Sequence, residues 1–525
     1  MLDDLRMFGR FAAGLRPFVQ SPLSLAGCRS LVEQCIRDRE RNFLLLVKKA
    51  VYGHPQSPYL ALLRWAGIEY GDLERMVEQD GIEAALQRLF KADVRVSLDE
   101  FKGRQPIERP GLRLAVTVEG FDNPLLAREF EVRTSGTTGP RKRLAIDFDL
   151  LKYDAAHRRM VYEANGIGNR PSAAYRAVPP GSSGIKNVLF AVKFGNPLER
   201  WFSPTAVSWK PKMLPSAIFT QVSVRGAQIW GGSIPYPEHV PLEDAAPVSR
   251  WLADKAALGT PALLSGAVNS MVRVCTSAER NGLDISGTVF LTGGEPITQA
   301  KADLFRKSGA DLCPNYAMSE SGPLGGGCAD RDAVDEVHLY YGKVALFTQP
   351  QVMAHGEPAV DALYLTTLLP ETPKIMLNLE TGDYGELRER RCDCLLGELG
   401  LRYHLHHIRN YEKLTTGGMH FLGSDVIALI EEALPSAYGG QPTDYQLVEV
   451  EDGALTRLDL MVSPRVGEVN ENAIVKTVLE RLGSGSRGNQ MMAAHWAQGE
   501  TLRVVRAHPF TSPEGKIPPL KVLPR

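Results

Sequence analysis

A short run of hydroxyl residues, glycines and basic side chains is the strongest chemical signal in the sequence. It reads TSGTTGPRK and occupies residues 134–142. Glycine lets backbone N–H groups approach an anion closely, and hydroxyl and ammonium groups add donors and positive charge. The run is not a Walker loop, because Gly136 and Gly139 are too close together and Lys142 is followed by Arg143. We expect a phosphate-binding loop of another kind; a flexible surface turn is the plain alternative.

Five further polar segments follow this loop along the chain. They are LTGGEPIT from Leu291, NYAMSES from Asn315, LETGDYGEL from Leu379 and IRNYEKLTTGGMHF from Ile408, and PEGKIPPLK stands near the end. Taken singly, their acids and lysines fit helix caps, turns or surface positions. Taken together and in this order, the segments resemble the signatures of the adenylate-forming superfamily of acyl-CoA synthetases, luciferases and adenylation domains.

The resemblance implies roles for individual residues in binding ATP. The loop on the phosphates would comprise Thr134, Ser135, Gly136, Thr137, Thr138, Gly139 and the catalytic Lys142. The adenine pocket would be lined by Gly294, Glu295, Pro296 and Asn315, with Tyr316 stacked on the base. Ser319 would contact phosphate and Glu320 would hold Mg²⁺. Ala317 and Ser319 depart mildly from the glycine and threonine that are usual in this motif.

The same resemblance assigns the ribose contacts and the last catalytic group. Asp383 and Arg409 would bind the ribose, and Lys516 would complete the adenylation site, with Lys521 a weaker candidate. Ile408 stands where the hinge segment usually has glycine, so the hinge residue is left open between positions 411 and 412.

Within the superfamily, the chain is most similar to phenylacetate-CoA ligases and the acyl-protein synthetases of bacterial luminescence. That branch implies a site formed by Cys328, His338, Cys392 and Cys394, a donor set that suits tetrahedral, structural Zn²⁺. His404, His406 and His407 are rival ligands, and unpaired buried cysteines are the plain alternative. The chain has seven cysteines in all, and we expect reduced thiols rather than a disulfide framework.

The pattern of apolar residues indicates the elements that must position these groups. Helical periodicity dominates residues 1–110, which we expect to pack on the large domain as a scaffold. Strands and helices alternate over residues 111–408, the predicted ATP- and acid-binding domain, and residues 409–525 read as a small α+β domain that carries the catalytic lysine. The predicted fold class is therefore α/β: a large domain with mixed or parallel sheets and a small C-terminal α+β domain joined by a hinge.

Composition narrows the class of protein. The 525 residues have a hydrophobic share of 44%, a charged share of 23% and a net charge of -1, as expected of a globular protein with neither a nucleic-acid nor a membrane partner. No secretory signal or membrane span is predicted, so we expect a cytoplasmic location. A homodimer is possible, as is common in the superfamily.

The resemblance implies activation of a small carboxylic acid by ATP and Mg²⁺, followed by acyl transfer to CoA. A carrier-protein thiol or an amine acceptor remains open, as does a non-catalytic sensor of nucleotide or acid. A phosphate-loop NTPase is a further alternative, but the chain lacks the Walker lysine of that class. A zinc-binding interaction module would explain only the cysteines and one histidine. We expect the acid pocket along residues 179–206 and 260–270, where Lys186 or Lys193 could grip a polar substituent or point to solvent.

Overall fold

The chain is represented by a computed structural model. It describes residues 2–126, 130–133, 143–179, 183–209, 214–242, 244–295, 297–351, 360–410, 423–452, 455–484, 493, 496–497, 502–511, 517 and 519–522.

The N-terminal segment is helical, as predicted. Its helices are α1 (Leu2–Gln20), α2 (Leu25–Arg37), α3 (Arg39–Leu46), α4 (Pro58–Trp65), α5 (Tyr70–Lys91) and α6 (Leu98–Phe101). The Ser24 side chain caps α2 by accepting a hydrogen bond from the Gly27 N–H at 3.0 Å. Helices α1 and α2 pack on helices of the following region, and the hairpin β1 (Ile107–Arg109) and β2 (Leu112–Leu114) follows them.

A twelve-stranded mixed sheet forms the centre of the molecule. Its strands run in the order β13-β14-β15-β16-β12-β11-β10-β9-β8-β5-β6-β7. They are β5 (Ser172–Tyr175), β6 (Arg200–Ser203), β7 (Pro237–His239), β8 (Leu263–Gly266), β9 (Val289–Gly293), β10 (Asp311–Met318), β11 (Gly322–Gly326), β12 (Val337–Leu339), β13 (Val344–Gln351), β14 (Val360–Thr367), β15 (Leu379–Glu389) and β16 (Tyr403–Asn410). Strands β3 (Phe130–Arg133) and β4 (Arg143–Ile146) form a separate antiparallel pair.

The strands from β5 to β10 pair in parallel. Helices connect them: α7 (Phe148–Ala164) precedes β5, and α8 (Ser183–Lys193), α9 (Leu214–Ile229), α10 (Ala246–Ala257), α11 (Val268–Arg280) and α12 (Gln299–Lys307) follow in turn. Every residue of β5, β8 and β9 is buried, because helices cover both faces of a parallel sheet. The predicted alternation of strands and helices in this region is therefore confirmed. The remaining strands pair antiparallel, so the sheet is mixed.

A smaller sheet lies in the C-terminal region, in the order β19-β18-β17-β20. Its strands are β17 (Tyr445–Asp452), β18 (Leu455–Val462), β19 (Leu502–Val505) and β20 (Leu520–Val522). The accompanying helices are α14 (Gly423–Ala428), a π-helical turn (Leu429–Ala433), α15 (Leu434–Tyr438) and α16 (Glu471–Gly483), while α13 (Leu395–Glu398) belongs to the large sheet's connections. Tyr445, Leu460 and Val478 share a core of their own here, which confirms the predicted α+β character.

Among the described residues, no helix combines the length and the apolar character that crossing a membrane requires.

Candidate active site

The predicted adenine loop lies at the carboxyl ends of two neighbouring parallel strands. β9 ends at Gly293, and a Cβ atom there would lie 1.9 Å from the carbonyl oxygen of Asn315 on β10. Gly294 follows with a φ of +79°, a conformation that favours glycine. The two strands can therefore approach closely only because this loop carries glycines.

Tyr316 and Asp383, predicted to bind adenine and ribose, are hydrogen-bonded to each other. The Tyr316 hydroxyl donates to Oδ2 of Asp383 at 2.9 Å, although the residues belong to β10 and β15. Burial and the neighbouring Asp383 carboxylate raise the pKa of Tyr316 well above its usual value. The phenol therefore stays protonated and holds the carboxylate in place.

Arg409 is engaged by an acid that sequence reasoning missed. Its Nη1 donates to Oδ2 of Asp335 at 2.9 Å, and the N–H groups of His407 and Ile408 donate to the same carboxylate. Asp335 is only 5% exposed along its side chain. No motif pointed to it, because its partners lie more than 70 residues further along the chain.

Ser319 and Glu320 occupy the turn between β10 and β11, where Ser319 is exposed and Glu320 half-buried. The Lys186 ammonium group has a pKa lowered by burial, an effect opposed by the charges of Asp154 and Glu320. Lys186 thus lies near the predicted magnesium ligand. The rest of the predicted set lies outside the described residues: Thr134, Ser135, Gly136, Thr137, Thr138, Gly139, Lys142, Pro296 and Lys516.

Lys193 was expected either to grip the acid or to face solvent, and both interpretations are wrong. It is 4% exposed and donates to the carbonyl oxygens of Phe18 and Ser21 at 3.1 and 2.6 Å. Carbonyl groups at a helix C-terminus lack intrahelical partners, so this ammonium group caps the end of α1. Burial lowers its pKa to about 8.

Glu295 ties the predicted adenine loop to the C-terminal region. Its Oε1 accepts hydrogen bonds from the Ile517 N–H and from Nδ2 of Asn269, both at 3.1 Å. The same Asn269 Nδ2 donates to the Ile517 carbonyl oxygen at 2.6 Å. The residue that follows Lys516 in sequence is therefore held beside the end of β9.

A buried ion pair makes a second contact with the C-terminal region. Glu431, in the π-helical turn, pairs with Lys301 of α12 and accepts a hydrogen bond from Oγ1 of Thr298 at 2.7 Å. The Lys301 and Glu431 side chains are 1% and 3% exposed. Together with the bonds to Ile517, these interactions form what we call the C-terminal contact.

Three of the seven cysteines and one histidine lie together, as predicted. Nε2 of His338 is 3.4 Å from Sγ of both Cys328 and Cys394, and Cys328 Sγ is 3.8 Å from Cys392 Sγ. All four candidate ligand atoms lie within 4.8 Å of one another. We call these four residues the cysteine cluster.

The cysteine cluster has the chemistry of a cation site. Nδ1 of His338 is 2.6 Å from the Leu401 carbonyl oxygen; since a carbonyl only accepts, Nδ1 carries the proton and Nε2 is left to bind a metal. A hydrogen bond from Cys328 and the adjacent His338 lower the pKa of Cys394 to about 3, whereas the same bond raises that of Cys328. Three sulfur atoms and one imidazole nitrogen this close together fit the tetrahedral ligand set of Zn²⁺.

The rival histidines lie outside the cysteine cluster. His404 contacts Oε1 of Glu336 through Nδ1 at 2.6 Å, and its ring lies against that of His338. His406 and His407 gather around Glu386 instead. His404, the nearest of the three, therefore packs against the candidate ligand His338 and does not take its place.

Comparison with known proteins identifies the fold. No family model matches the chain, and no curated protein matches it. A crystal structure of 2-hydroxyisobutyryl-CoA ligase in the postadenylation state, in complex with R3-HIB-AMP, matches with a TM-score of 0.54 at 15% identity, over 92% of this chain and 89% of that chain. The same ligase in complex with 2-HIB-AMP matches with a TM-score of 0.53 at 15% identity and the same coverage. The chain thus shares the fold of a CoA ligase.

Proposed function

We propose that the chain is an ATP-dependent ligase that converts a carboxylic acid to an acyl-adenylate and then transfers the acyl group to the thiol of CoA. The observation that carries this proposal is the hydrogen bond between Tyr316 and Asp383, 67 residues apart. These are the residues assigned to adenine and ribose, and they meet within the fold shared with 2-hydroxyisobutyryl-CoA ligase. That ligase binds the acyl-adenylates R3-HIB-AMP and 2-HIB-AMP.

The first step turns a poor electrophile into a reactive one. A carboxylate oxygen of the acid attacks the α-phosphorus of ATP; the new O–P bond forms, the α–β anhydride bond breaks and pyrophosphate leaves. Negative charge on the phosphoryl oxygens must be met by donors and cations fixed beforehand. Lys142 and the surrounding loop would serve the leaving phosphates, Lys516 would bridge the acid and the α-phosphate, and Mg²⁺ on Glu320 would supply further positive charge.

In the second step, the CoA sulfur attacks the acyl carbon, the bond to the phosphate oxygen breaks and AMP leaves. A carrier-protein thiol or an amine would react in the same way. Residues 1–110, 111–408 and 409–525 would act as scaffold, large domain and small domain. Glu295 and Asn269 hold Ile517 next to the adenine loop, which favours the described arrangement as the one for adenylation. Release of this contact would let the small domain present another face to the acceptor.

The cysteine cluster would hold one structural Zn²⁺. Its four ligands fill a tetrahedral site and leave no position for an activated water, so the metal would stabilise the fold rather than take part in the reaction.

The experiment is to measure pyrophosphate release with Mg²⁺-ATP and a panel of aryl and aliphatic acids, with and without CoA. Acid-dependent release by the wild type that is lost in Lys516→Ala supports adenylation, and a thioester product supports CoA as acceptor. Lys521→Ala is the matched control, because the Lys521 ammonium group lies over the Phe510 ring, 4.0 Å from its centroid. Release of phosphate instead of pyrophosphate, or loss of activity only in Lys521→Ala, would contradict the assignment.

A further inference from the structure

The order of the parallel strands defines a crevice at the centre of the sheet. From β5 the chain proceeds outward through β6 to β7, and then returns to β8 and proceeds through β9 to β10 on the other side. The direction of winding therefore reverses between β5 and β8. In open α/β sheets, ligands bind outside the carboxyl ends of the strands at such a reversal.

Arg176 follows directly after β5 and bridges this reversal. Its Nε donates to Oγ of Ser265 at 3.2 Å, and its Nη2 donates to the Gly266 carbonyl oxygen at 2.9 Å. Ser265 and Gly266 are the last two residues of β8, so the guanidinium group lies across the mouth of the crevice.

Arg158 reaches the same crevice from α7. Its Nη1 and Nη2 donate to Oδ1 of Asn187 and Oδ1 of Asn315, each at 3.4 Å. The Ser265 hydroxyl donates to the same Asn187 oxygen at 2.9 Å. The two arginines are thus joined through one serine and one asparagine, and Asn315 connects them to the strand that carries Tyr316.

Neither guanidinium group has an anionic partner among the residues that the structure describes. In the described part of the chain, no carboxylate lies within ion-pair distance of Arg158 or Arg176; their partners are amide, hydroxyl and carbonyl groups. Arg158 is 5% exposed, and its Nε, also buried, has no hydrogen-bond partner. Burial and the charge of Arg158 lower the pKa of Arg176 to about 10.

Most other buried cations among the described residues pair with a carboxylate; the exception is Lys193, which the carbonyl groups at the end of α1 hold. Lys343 bonds to Asp154, Lys301 to Glu431 and Arg109 to Glu100. A buried cation without such a partner costs free energy. Buried Arg158 and half-buried Arg176 lie close together at the strand reversal, and this arrangement is explained if an anion from outside the protein completes the site.

We propose that Arg158 and Arg176 bind a second anionic group on the acid, so that the substrate is a dicarboxylic acid rather than a simple apolar one. This inference rests on the proposed adenylation. Arg176 lies on the acid side of the crevice, because β5 is three strands from β10, or roughly 14 Å at the usual spacing. The adenine and ribose residues lie at and beyond β10.

The test compares matched acids in the pyrophosphate assay: succinate with butyrate, glutarate with valerate, and the benzenedicarboxylates with benzoate. We expect the wild type to favour the dicarboxylic member of at least one pair. Arg158→Met and Arg176→Met should each reduce kcat/KM for that acid by roughly 100-fold, the cost of removing one partner of a buried charge pair. The KM for ATP should not change.

The matched control is Arg159→Met. Arg159 lies on the same helix, but its guanidinium group pairs with Glu163 at 2.6 Å. It should leave the preference between the two acids of a pair unchanged. Arg158→Met should also not lower the melting temperature of the free protein, because it removes an unpaired buried charge; a purely structural arginine would lower it.

The outcomes separate this inference from the proposed function. Preference for monocarboxylic acids, or arginine variants that affect both members of each pair equally, would overturn the dicarboxylate assignment while leaving adenylation intact. A raised KM for ATP in the variants would assign the arginines to the nucleotide instead. If no acid releases pyrophosphate, the adenylation proposal fails. In that case, thermal shifts with succinate, glutarate and the benzenedicarboxylates test the anion site. Stabilisation by one of these acids that Arg176→Met abolishes would support the site. The absence of any stabilisation would overturn it.

Discussion

The cysteine cluster and the C-terminal contact both join distant parts of the chain, but they are built differently. In the cluster, four ligand atoms face one another, and the proton on His338 is fixed by the Leu401 carbonyl. In the C-terminal contact, one ion pair and a few hydrogen bonds connect the loop after β9 and helices α11 and α12 with the C-terminal region. The first arrangement is closed and suits permanent stabilisation; the second can be broken and remade.

Removing a ligand from the cysteine cluster should have the largest effect on stability. We expect Cys392→Ser to lose one bound zinc per chain and to lower the free energy of unfolding by about 4 kcal/mol or more, because the remaining thiolates lose their common cation. Elemental analysis and urea unfolding measure the two effects. Cys275→Ala, at a buried cysteine outside the cluster, should retain its zinc. Wild-type protein without zinc would refute a metal site here.

Breaking the C-terminal contact should instead affect activity. Glu431→Gln leaves the Lys301 ammonium group buried without its partner, a cost of about 3–5 kcal/mol if the contact stays closed. The region can avoid this cost by separating, which exposes Lys301 to water. We therefore expect acid-dependent pyrophosphate release to fall by roughly 10- to 100-fold, with a smaller change in unfolding than Cys392→Ser produces.

Two variants sharpen this prediction. Glu432→Gln changes the neighbouring, exposed acid and should leave the rate unchanged. Replacing both partners, as Glu431→Met with Lys301→Met, removes the buried charge altogether and should restore much of the activity. An unchanged rate in Glu431→Gln would mean that the ion pair does not govern the arrangement needed for adenylation.

The sequence was sufficient where a motif fixes both residue type and order. Cys328, His338, Cys392 and Cys394 were predicted as one group, and Tyr316 and Asp383 as neighbours on one ligand; the structure brings each set together. A loop from Leu291 was also predicted, because two consecutive glycines are a strong turn signal.

The sequence was insufficient to predict the role of a polar side chain whose partner lies far away along the chain. Asp335, Arg158 and Glu431 stand in no motif, and only the packing of separate elements brings them to Arg409, Asn315 and Lys301. Lys193 shows the converse error: its basic type suggested ligand binding, but the end of α1 happens to pack beside it. Burial and pairing are tertiary properties, and single-residue chemistry cannot supply them.

The smallest predicted effect is that of His157 on the pH dependence of stability. This effect must be distinguished from the effect of the cysteine cluster on the same pH dependence. Metal ligands must be deprotonated, so loss of stability in acid would readily be assigned to the cluster alone. His157 contributes as well. It is buried against Tyr340 with its Nδ1 on the Tyr153 carbonyl, and burial lowers its pKa from 6.5 to about 3.

The unfolded chain therefore takes up a proton at His157 before the folded chain does. The stabilising contribution of the neutral ring is complete above pH 6.5 and is lost as the pH falls towards 3, at a cost of about 2 kcal/mol by pH 5. We expect His157→Asn to reduce the difference in unfolding free energy between pH 7 and pH 5 by this amount, whereas His239→Asn, at an exposed position, should not. Urea unfolding of both variants at the two pH values measures it. If the difference in unfolding free energy between the two pH values is unchanged in His157→Asn, the loss of stability in acid must come from the cysteine cluster and the carboxylates alone.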